Sequence, residues 1–190
     1  MAAWARRTEL VTVPLIVDLD GTLIDGDTLH LSLWKLLREK PWLLPVLPFV
    51  ALTGRAEFKR YVSDRVALPP ESLPYRSDVL AFVRGERQGG RPIILATAAD
   101  RRIADAVSAH LSLFDSVIAS DGRHNAKAAG KLESIRAQLG QDDFDYVGDS
   151  MADLPVFRAA RRSYLVAPGR TLLGAIRVGC RVEAVFSSRS

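Results

Sequence analysis

Short, continuously apolar runs alternate with stretches of helical periodicity along most of this chain. Five runs are typical of strands buried on both faces, at residues 13–18, 92–97, 116–119, 144–148 and 163–166. Helical spacing of apolar residues follows three of these runs, over residues 100–111, 127–139 and 151–160. Strands that alternate with helices in this way predict an α/β fold, a doubly wound parallel sheet of about five or six strands covered by helices.

The segment between the first two predicted strands breaks this alternation. It carries helical patterns over residues 28–38, 56–66 and 78–88 and no strand pattern. A crossover between two strands rarely needs so many residues. We therefore predict a helical insert over residues 26–75, above the carboxyl edge of a core formed by residues 1–25 and 76–190. An insert in that position is a candidate lid.

Two carboxylates follow the first predicted strand in the motif Asp18-Leu-Asp20-Gly-Thr22. Side chains two positions apart on an extended strand point to the same side, so we expect Asp18 and Asp20 to be presented together. Like charges so close are costly unless a cation or a shared proton relieves them. The alternative interpretation is an ordinary Asp-Gly turn after a strand.

A second acidic motif, Gly148-Asp149-Ser-Met-Ala-Asp153, also follows an apolar strand and opens a helix. Alone, it is equally well a turn that caps a helix. In a doubly wound sheet, however, the carboxyl ends of the strands form the functional crevice, where both motifs should meet. Carboxylates without His or Cys suit Mg²⁺ rather than zinc. Together the motifs predict a magnesium site.

Two further features fit a bound phosphate. Thr97 ends the second predicted strand before a helix start, where its hydroxyl and free backbone N–H groups such as that of Ala98 suit phosphate oxygens. Lys131, one turn after Lys127, is a compact cation that would neutralise phosphate charge. Individually, these residues are better explained as an ordinary strand end and as solvated surface lysines.

As a set, these residues resemble the four motifs of the haloacid dehalogenase-like hydrolase superfamily, in the same order and at strand ends, over residues 14–168. The resemblance implies a Rossmann-like core and aspartyl-phosphate chemistry, with Asp18 as nucleophile and Asp20 as general acid/base. It implies that Thr97, Ala98 and Lys131 hold the phosphoryl oxygens. It also implies Mg²⁺ as cofactor, with four residues at the metal: Asp18, Asp20 through its backbone carbonyl, Asp149, and Asp153 in a supporting or coordinating position.

Asp20 favours the phosphatase branch of this superfamily, since a general acid there protonates an alkoxide leaving group and later activates water. Relatives that remove halide usually lack that acid. The implied activity is Mg²⁺-dependent phosphomonoester hydrolysis through phospho-Asp18. Two alternatives stay open: phosphotransfer to an acceptor other than water, and a non-catalytic regulatory or scaffold module of a membrane prenyltransferase system.

The insert resembles the helical first-type cap of the superfamily and contains an apolar run with three prolines over residues 41–52. The prolines argue against one regular helix, and the run is too short to span a bilayer. We expect it either to form the core of the insert or to be an exposed lip for a lipid-linked phosphate or a membrane surface. Three cations flank it: Arg38, Lys40 and Arg55.

A second resemblance bears on the substrate. Leu73-Pro-Tyr75 and residues 95–102 and 144–150 are similar to phosphatase-like domains at the N-terminus of polyprenyltransferase-type membrane proteins. The resemblance implies a lipid- or prenyl-linked phosphate as an alternative to a soluble small-molecule phosphate. No membrane-spanning half follows Phe186. We therefore expect either a free-standing relative or one domain of a longer protein.

Composition and charge narrow the setting. The chain is 48% hydrophobic and 25% charged, which is ordinary for a soluble globular protein. It has neither an apolar stretch of about 18 residues nor a signal-peptide pattern, and its single cysteine, Cys180, fits a reducing compartment. We predict a cytoplasmic protein, with association to the cytoplasmic face of a membrane as the alternative. A net charge of +4 suits anionic partners, but no basic helix or aromatic platform indicates nucleic acid.

The C-terminal residues 167–190 leave two interpretations open. Their apolar residues predict a final helix and strand, or alternatively a contact with a partner. The arginines at this end predict a solvated surface or a phospholipid-binding face: Arg161, Arg162, Arg170, Arg177 and Arg181. The oligomeric state is left open by the sequence.

Overall fold

The computed structural model describes residues 13–120, 128–140, 142–177 and 179–187. Its strands are β1 (Leu15–Val17), β2 (Ile93–Asp100), β3 (Ser116–Ser120), β4 (Asp145–Gly148), β5 (Arg162–Val166) and β6 (Val182–Phe186). They form one six-stranded sheet in the order β3-β2-β1-β4-β5-β6, and every neighbouring pair is parallel. The predicted doubly wound, Rossmann-like α/β fold is confirmed.

Helices cover both faces of the sheet because successive strand residues point to opposite sides. Val17 of β1 faces α4 (Ser77–Gln88) and α5 (Arg101–Leu111), with Val83 and Val107 in the same core. Ile16 faces a second core that includes Ile135. The helices of this second layer are α6 (Ala128–Leu139), α7 (Leu154–Ala159) and α8 (Arg170–Ile176). Burial of continuous apolar strands between two helical layers explains why the sequence runs lack alternation.

The insert forms a small helical layer of its own. It contains α1 (Thr28–Glu39), α2 (Leu47–Leu52), α3 (Arg55–Ser63) and two 3₁₀ turns, Pro41–Leu43 and Pro70–Ser72. A separate core packs the three helices together, and its buried residues are Leu36, Leu47, Val62 and Val66. The ends of the insert meet at its base, where Asp25 N donates to Pro74 O at 2.7 Å and Arg76 N to Leu23 O at 3.0 Å. The exact boundaries at 26 and 75 stay a prediction.

Several element bounds differ from those predicted, and three of the differences concern elements next to the acidic motifs and Thr97. The first strand is shorter than residues 13–18, because the chain turns away at Asp18. The second strand extends beyond Thr97, because β2 pairs with β3 again at Asp100 after a register shift. The predicted helix over 151–160 begins as a 3₁₀ turn, Met151–Asp153, and continues as α7. Pro155 lies in the first turn of α7, where its missing N–H is harmless.

The C-terminal prediction of a final helix and strand is confirmed by α8 and by β6, which pairs in parallel with β5. Three arginines at this end lie near acids: Arg161 beside Asp145, and Arg162 and Arg181 beside Glu183. No helix in the part of the chain that the structure describes is long and apolar enough to cross a membrane. Lys127, which the sequence pairs with Lys131, lies outside the described residues.

Candidate active site

The carboxyl edge of the sheet brings the two acidic motifs together. Asp18 follows β1 and Asp149 follows β4, and these strands are hydrogen-bonded neighbours. Thr97 lies in β2, on the other side of β1. The order of the strands reverses at β1. Ligands of doubly wound sheets bind in the crevice at such a reversal.

Lys131, in the first turns of α6, is buried and binds three partners. Its Nζ donates to Asp18 Oδ1 at 2.8 Å, to Tyr146 Oη at 2.8 Å and to Asp153 Oδ2 at 3.1 Å. A lysine ammonium has three N–H donors, so each donor has a partner. Burial lowers the pKa of Lys131, but Asp18 and Asp153 raise it by more. The side chain therefore stays a cation inside the protein.

Tyr146, in β4, joins Lys131 and Asp153 through its hydroxyl group. Its hydroxyl donates to Asp153 Oδ2 at 2.7 Å and accepts from Lys131. Its ring packs edge-on against Phe157, with centroids 4.9 Å apart. A Cβ at Gly148 would lie 2.6 Å from the ring of Tyr146, so the glycine of the second motif makes room for this tyrosine. The packed ring therefore fixes the position of the Tyr146 hydroxyl, which contacts both Lys131 and Asp153.

Asp18 lies at the centre of the site with 6% of its surface exposed. Burial raises the pKa of its carboxyl above the ordinary value, Lys131 lowers it and Asp153 raises it. Lys131 holds Oδ1, whereas Oδ2 has a weaker contact, Thr22 Oγ1 at 3.5 Å. Oδ2 is therefore the oxygen that is freer to react.

Thr22 links the two motifs. Its hydroxyl lies 3.2 Å from Asp149 Oδ1 as well as close to Asp18. The turn that places it requires Gly21, whose φ is +74° and whose added Cβ would lie only 2.2 Å from Asp149 Oδ2. The Asp-Gly turn predicted as an alternative is thus present, and it serves to bring the acidic side chains together.

Asp20 is held by the start of the insert. Its carboxylate accepts from Thr28 N at 2.8 Å and from Thr28 Oγ1 at 3.3 Å. Burial raises the pKa of Asp20 to about 6, although the hydrogen bonds from Thr28 lower it. A carboxyl with a pKa near neutrality exchanges protons readily at physiological pH, which suits a general acid/base.

Thr97 and Ala98 lie in the last part of β2, at the same edge of the sheet. Thr97 is buried, and its Oγ1 accepts from Ala99 N at 3.0 Å. The prediction that Thr97 ends its strand is wrong, since it lies within the irregular part of β2. Ala98 is exposed, and its carbonyl accepts from Nζ of Lys59, on α3 of the insert, at 2.9 Å. The insert therefore touches the core beside the site.

The charges of the site fit a small divalent cation. Three acids, Asp18, Asp149 and Asp153, surround one cation, Lys131, and burial together with Asp153 raises the pKa of Asp149. Among the described residues, no group of three or more His, Cys, Asp or Glu side chains lies close enough to hold a metal ion. Mg²⁺, however, commonly binds through one or two carboxylates and keeps several waters. Thr22 contacts both Asp18 and Asp149, and these two carboxylates meet that requirement.

Several residues that shape this site carry no signal in the sequence. Tyr146, Thr28 and Lys59 act through contacts between residues far apart in the chain. An aromatic residue in a buried strand and a lysine on a helix are common, so neither carries a distinctive signal. Thr22 was visible as part of the first motif, but only the fold shows that it reaches Asp149.

Known structures with this fold are similar over almost the whole chain. A predicted phosphatase from Clostridium acetobutylicum aligns with a TM-score of 0.65 at 19% identity, covering 93% of this chain and 94% of that one. A substrate-bound phosphoserine phosphatase aligns with a TM-score of 0.60 at 14% identity, covering 94% of each chain. At such identities the similarity establishes the fold alone.

A sequence relative is the uncharacterized protein y4nM of Sinorhizobium fredii, 40% identical over 180 residues. The match covers 94% of this chain and 34% of that protein, so the chain spans about a third of the relative's length. The resemblance to domains of polyprenyltransferase-type membrane proteins stays a prediction. The family model of haloacid dehalogenase-like hydrolases matches residues 15–158, from β1 to α7. The chain therefore belongs to the haloacid dehalogenase-like hydrolase family, as its four motifs predict.

Proposed function

We propose that this protein is a Mg²⁺-dependent phosphomonoester hydrolase that works through an aspartyl phosphate on Asp18. One observation carries the proposal. A buried carboxylate is held by a buried lysine, and a second carboxyl with a pKa of about 6 follows it two residues later. The first carboxylate, Asp18, suits a nucleophile, and the second carboxyl, Asp20, suits a proton donor. The membership of a hydrolase family supports the same chemistry.

In the first half-reaction, Asp18 Oδ2 attacks the phosphorus of the substrate. The bond from phosphorus to the leaving oxygen breaks, and Asp20 gives that oxygen a proton. Asp18 is thereby phosphorylated, and the alcohol leaves. Lys131 stays beside Oδ1 and balances the negative charge, while Thr97 and the backbone at Ala98 would bind phosphoryl oxygens.

In the second half-reaction, water attacks the phosphorus of phospho-Asp18. Asp20, now a carboxylate, takes a proton from that water, and the bond between phosphorus and Oδ2 breaks. Inorganic phosphate leaves, and both aspartates return to their starting states. Thr28 keeps the Asp20 carboxyl in place through both steps, because it donates to both of its oxygens.

Mg²⁺ would be held by Asp18 and Asp149, together with the backbone carbonyl of Asp20. When bound, it would supply positive charge that stabilises the transferring phosphoryl group. The carboxylate of Asp153 is bound to Lys131 and Tyr146. This favours a supporting role for Asp153 rather than direct coordination of the metal. The carboxylate of Asp20 is likewise engaged, by Thr28. This favours coordination of the metal through the backbone carbonyl of Asp20.

The substrate would be a phosphate monoester, either a small soluble molecule or a lipid- or prenyl-linked phosphate. Phosphoserine phosphatase, a structure with this fold, was solved with substrate bound and illustrates the first class. The second class rests on the apolar segment of the insert, whose side chains are largely exposed. Phosphotransfer to an alcohol is the second candidate reaction, because water and an alcohol would attack phospho-Asp18 in the same way.

The proposal is tested by phosphate release from an aryl phosphate, with Mg²⁺ and with EDTA. Turnover should need Mg²⁺ and should disappear in Asp18→Asn, which keeps the shape of the side chain. Asp105→Asn, an exposed carboxylate on α5, is the matched control and should keep full activity. Added alcohols separate hydrolysis from transfer by the product formed. A folded wild-type protein without turnover on any phosphate monoester would favour the non-catalytic module.

A further inference from the structure

The insert exposes an unusual amount of apolar surface. Ten large apolar side chains are exposed among the described residues, and six of them lie between positions 34 and 52. We call these six the cap face: Trp34, Trp42, Leu44, Val46, Phe49 and Leu52. The largest exposed fractions are 85% for Leu52, 71% for Phe49 and 69% for Trp34. Large exposed apolar side chains concentrated in this way mark a contact surface.

Helix α2 shows why the cap face needs a partner. Its inward residue, Leu47, is buried in the core of the insert. Val46, Phe49 and Leu52 follow each other at intervals of three, which places them on one side of the helix, and that side is exposed. A helix with apolar residues on both sides normally lies in an apolar environment. The core of the insert covers only one side.

The charges around the cap face are predominantly positive. Residues 41–54 contain no charged side chain, whereas residues 35–65 contain seven lysines and arginines against three acids. On α1, exposed Arg38 follows exposed Trp34 by one turn, so a cation and an indole share one face. A short, uncharged apolar segment with cationic flanks and tryptophans is the composition of surfaces that bind at the lipid–water interface.

We propose that the cap face docks onto the surface of an anionic lipid bilayer. The apolar side chains of α2 and the preceding turn would enter the boundary between headgroups and acyl chains. Arg38 and neighbouring cations would contact the negatively charged headgroups. Residues 41–52 are too few to span the bilayer, so the contact is peripheral. This interaction does not depend on the proposed catalytic activity.

Charge argues for a lipid surface over a second copy of this chain. In a symmetric dimer the same patch faces itself, so the cationic flanks of two cap faces would be brought together. An anionic bilayer instead offers complementary charge. The basic C-terminal end is a weaker candidate for the same contact. Three of its arginines, Arg161, Arg162 and Arg181, lie beside acids, as Lys35 and Arg60 of the insert do. The described residues of this end, however, expose only three large apolar side chains, against six in the cap face.

Co-sedimentation of the full 190-residue chain with lipid vesicles tests the proposal. The vesicles contain phosphatidylcholine alone or phosphatidylcholine mixed with phosphatidylglycerol. Wild type should bind the mixed vesicles more strongly, and salt should weaken the binding. The double variant Phe49→Ser/Leu52→Ser should lower the apparent affinity by about tenfold or more, because two anchoring side chains are lost. Arg38→Gln should lower it about fivefold on anionic vesicles only.

Leu173→Ser is the matched control, because Leu173 is an exposed leucine of α8, outside the insert. It should bind like wild type. This control should also keep wild-type turnover of a soluble aryl phosphate, since Leu173 lies outside both the active site and the insert. Thermal unfolding verifies that each variant is folded.

Three results would overturn the proposal. The first is absence of binding to either kind of vesicle by the folded wild type. The second is equal binding by wild type and by Phe49→Ser/Leu52→Ser. The third is a wild-type dimer without lipid that this double variant converts to monomer, which would assign the cap face to self-association. If neither the wild type nor any variant hydrolysed the aryl phosphate while the wild type still bound vesicles, only the proposed function would be contradicted.

Discussion

Nζ of Lys131 lies 2.8 Å from Oδ1 of Asp18, although the two residues are 113 positions apart in the chain. Both side chains are almost fully buried, at 3% and 6% exposure. A buried charge is expensive unless it is paired and hydrogen-bonded, and here each partner provides that compensation for the other. The pair therefore joins α6 to the end of β1 and holds Oδ1 of Asp18 in place inside the protein.

Replacing Lys131 should remove activity. Lys131→Met keeps the length of the side chain and removes the charge, so two buried acids lose their shared cation. We expect kcat/KM to fall by about 10²–10³-fold, the usual loss when one group that stabilises transition-state charge is removed. Steady-state kinetics with an aryl phosphate measures this. A variant that is folded, as its circular dichroism verifies, and as active as wild type would contradict the role of the pair.

Tyr146→Phe should separate the hydroxyl from the ring. The phenylalanine can keep the packing on Phe157, but Lys131 and Asp153 lose the oxygen that joins them. We expect about a tenfold lower kcat with little change in KM, and a loss of about 1–3 kcal/mol in the free energy of unfolding from the unpaired donor. Tyr164→Phe, in β5 and packed on Phe82, is the control and should keep kcat. Equal effects of the two variants would show that the hydroxyl of Tyr146 has no special position.

Gly21→Ala should damage the site more than the fold. Gly21 has a φ of +74°, and an added Cβ would lie 2.2 Å from Asp149 Oδ2. Gly90 has a φ of +78° and nothing within 4 Å of an added Cβ. Both alanine variants should lose about 1–2 kcal/mol from the left-handed backbone alone. Only Gly21→Ala should also need more Mg²⁺ for half-maximal activity, and unchanged Mg²⁺ dependence would argue against Asp149 as a ligand.

Asp145 should control acid stability at the opposite end of the sheet. It is buried at the start of β4 and accepts hydrogen bonds from Arg91 and from Arg161, the latter at 3.0 and 3.1 Å. Burial raises its pKa, but the hydrogen bonds from the two arginines lower it by more, so the net shift is downward. The folded protein thus binds the proton of Asp145 less tightly than the unfolded chain does. Its stabilising effect is complete above the unfolded pKa of about 3.9 and is lost as the pH falls through the folded value.

Chemical denaturation of wild type and Asp145→Asn at several pH values measures this effect. At pH 7 we expect the variant to be less stable by about 3 kcal/mol, the low end for a broken buried ion pair because Arg161 is partly exposed. Below a pH of about 4 the difference should shrink. A difference that stays constant through the acid range would mean that the charge of Asp145 is not the cause.

The layered sheet and the meeting of the two acidic motifs at one edge of it were predictable because they depend on local patterns. A continuously apolar run such as residues 144–148 indicates a strand buried on both faces. The end of such a strand fixes where the next residue lies, which is why Asp18 and Asp149 could be assigned to one edge. Asp100 was similarly recognisable as a helix cap, and its side chain accepts from Arg102 N at 3.0 Å.

The remaining features depend on contacts that no local pattern records. Thr28 orients Asp20 across the base of the insert, and Tyr146 meets Lys131 from a neighbouring strand. The irregular pairing of β2 near Thr97 is a property of two strands rather than of one. The sequence of an apolar run does not show whether other residues cover it, so only the fold shows that Phe49 and Leu52 face outward.

The proposed mechanism requires that Asp18 becomes phosphorylated during turnover. It is tested most directly by mixing enzyme with substrate and Mg²⁺, quenching with acid within one turnover, and measuring the mass of the peptide that contains Asp18. We predict that this peptide gains the mass of one phosphoryl group in wild type and that Asp18→Asn shows no such gain. Phosphate release without any phosphorylated peptide, or with the label on a different residue, would contradict the account.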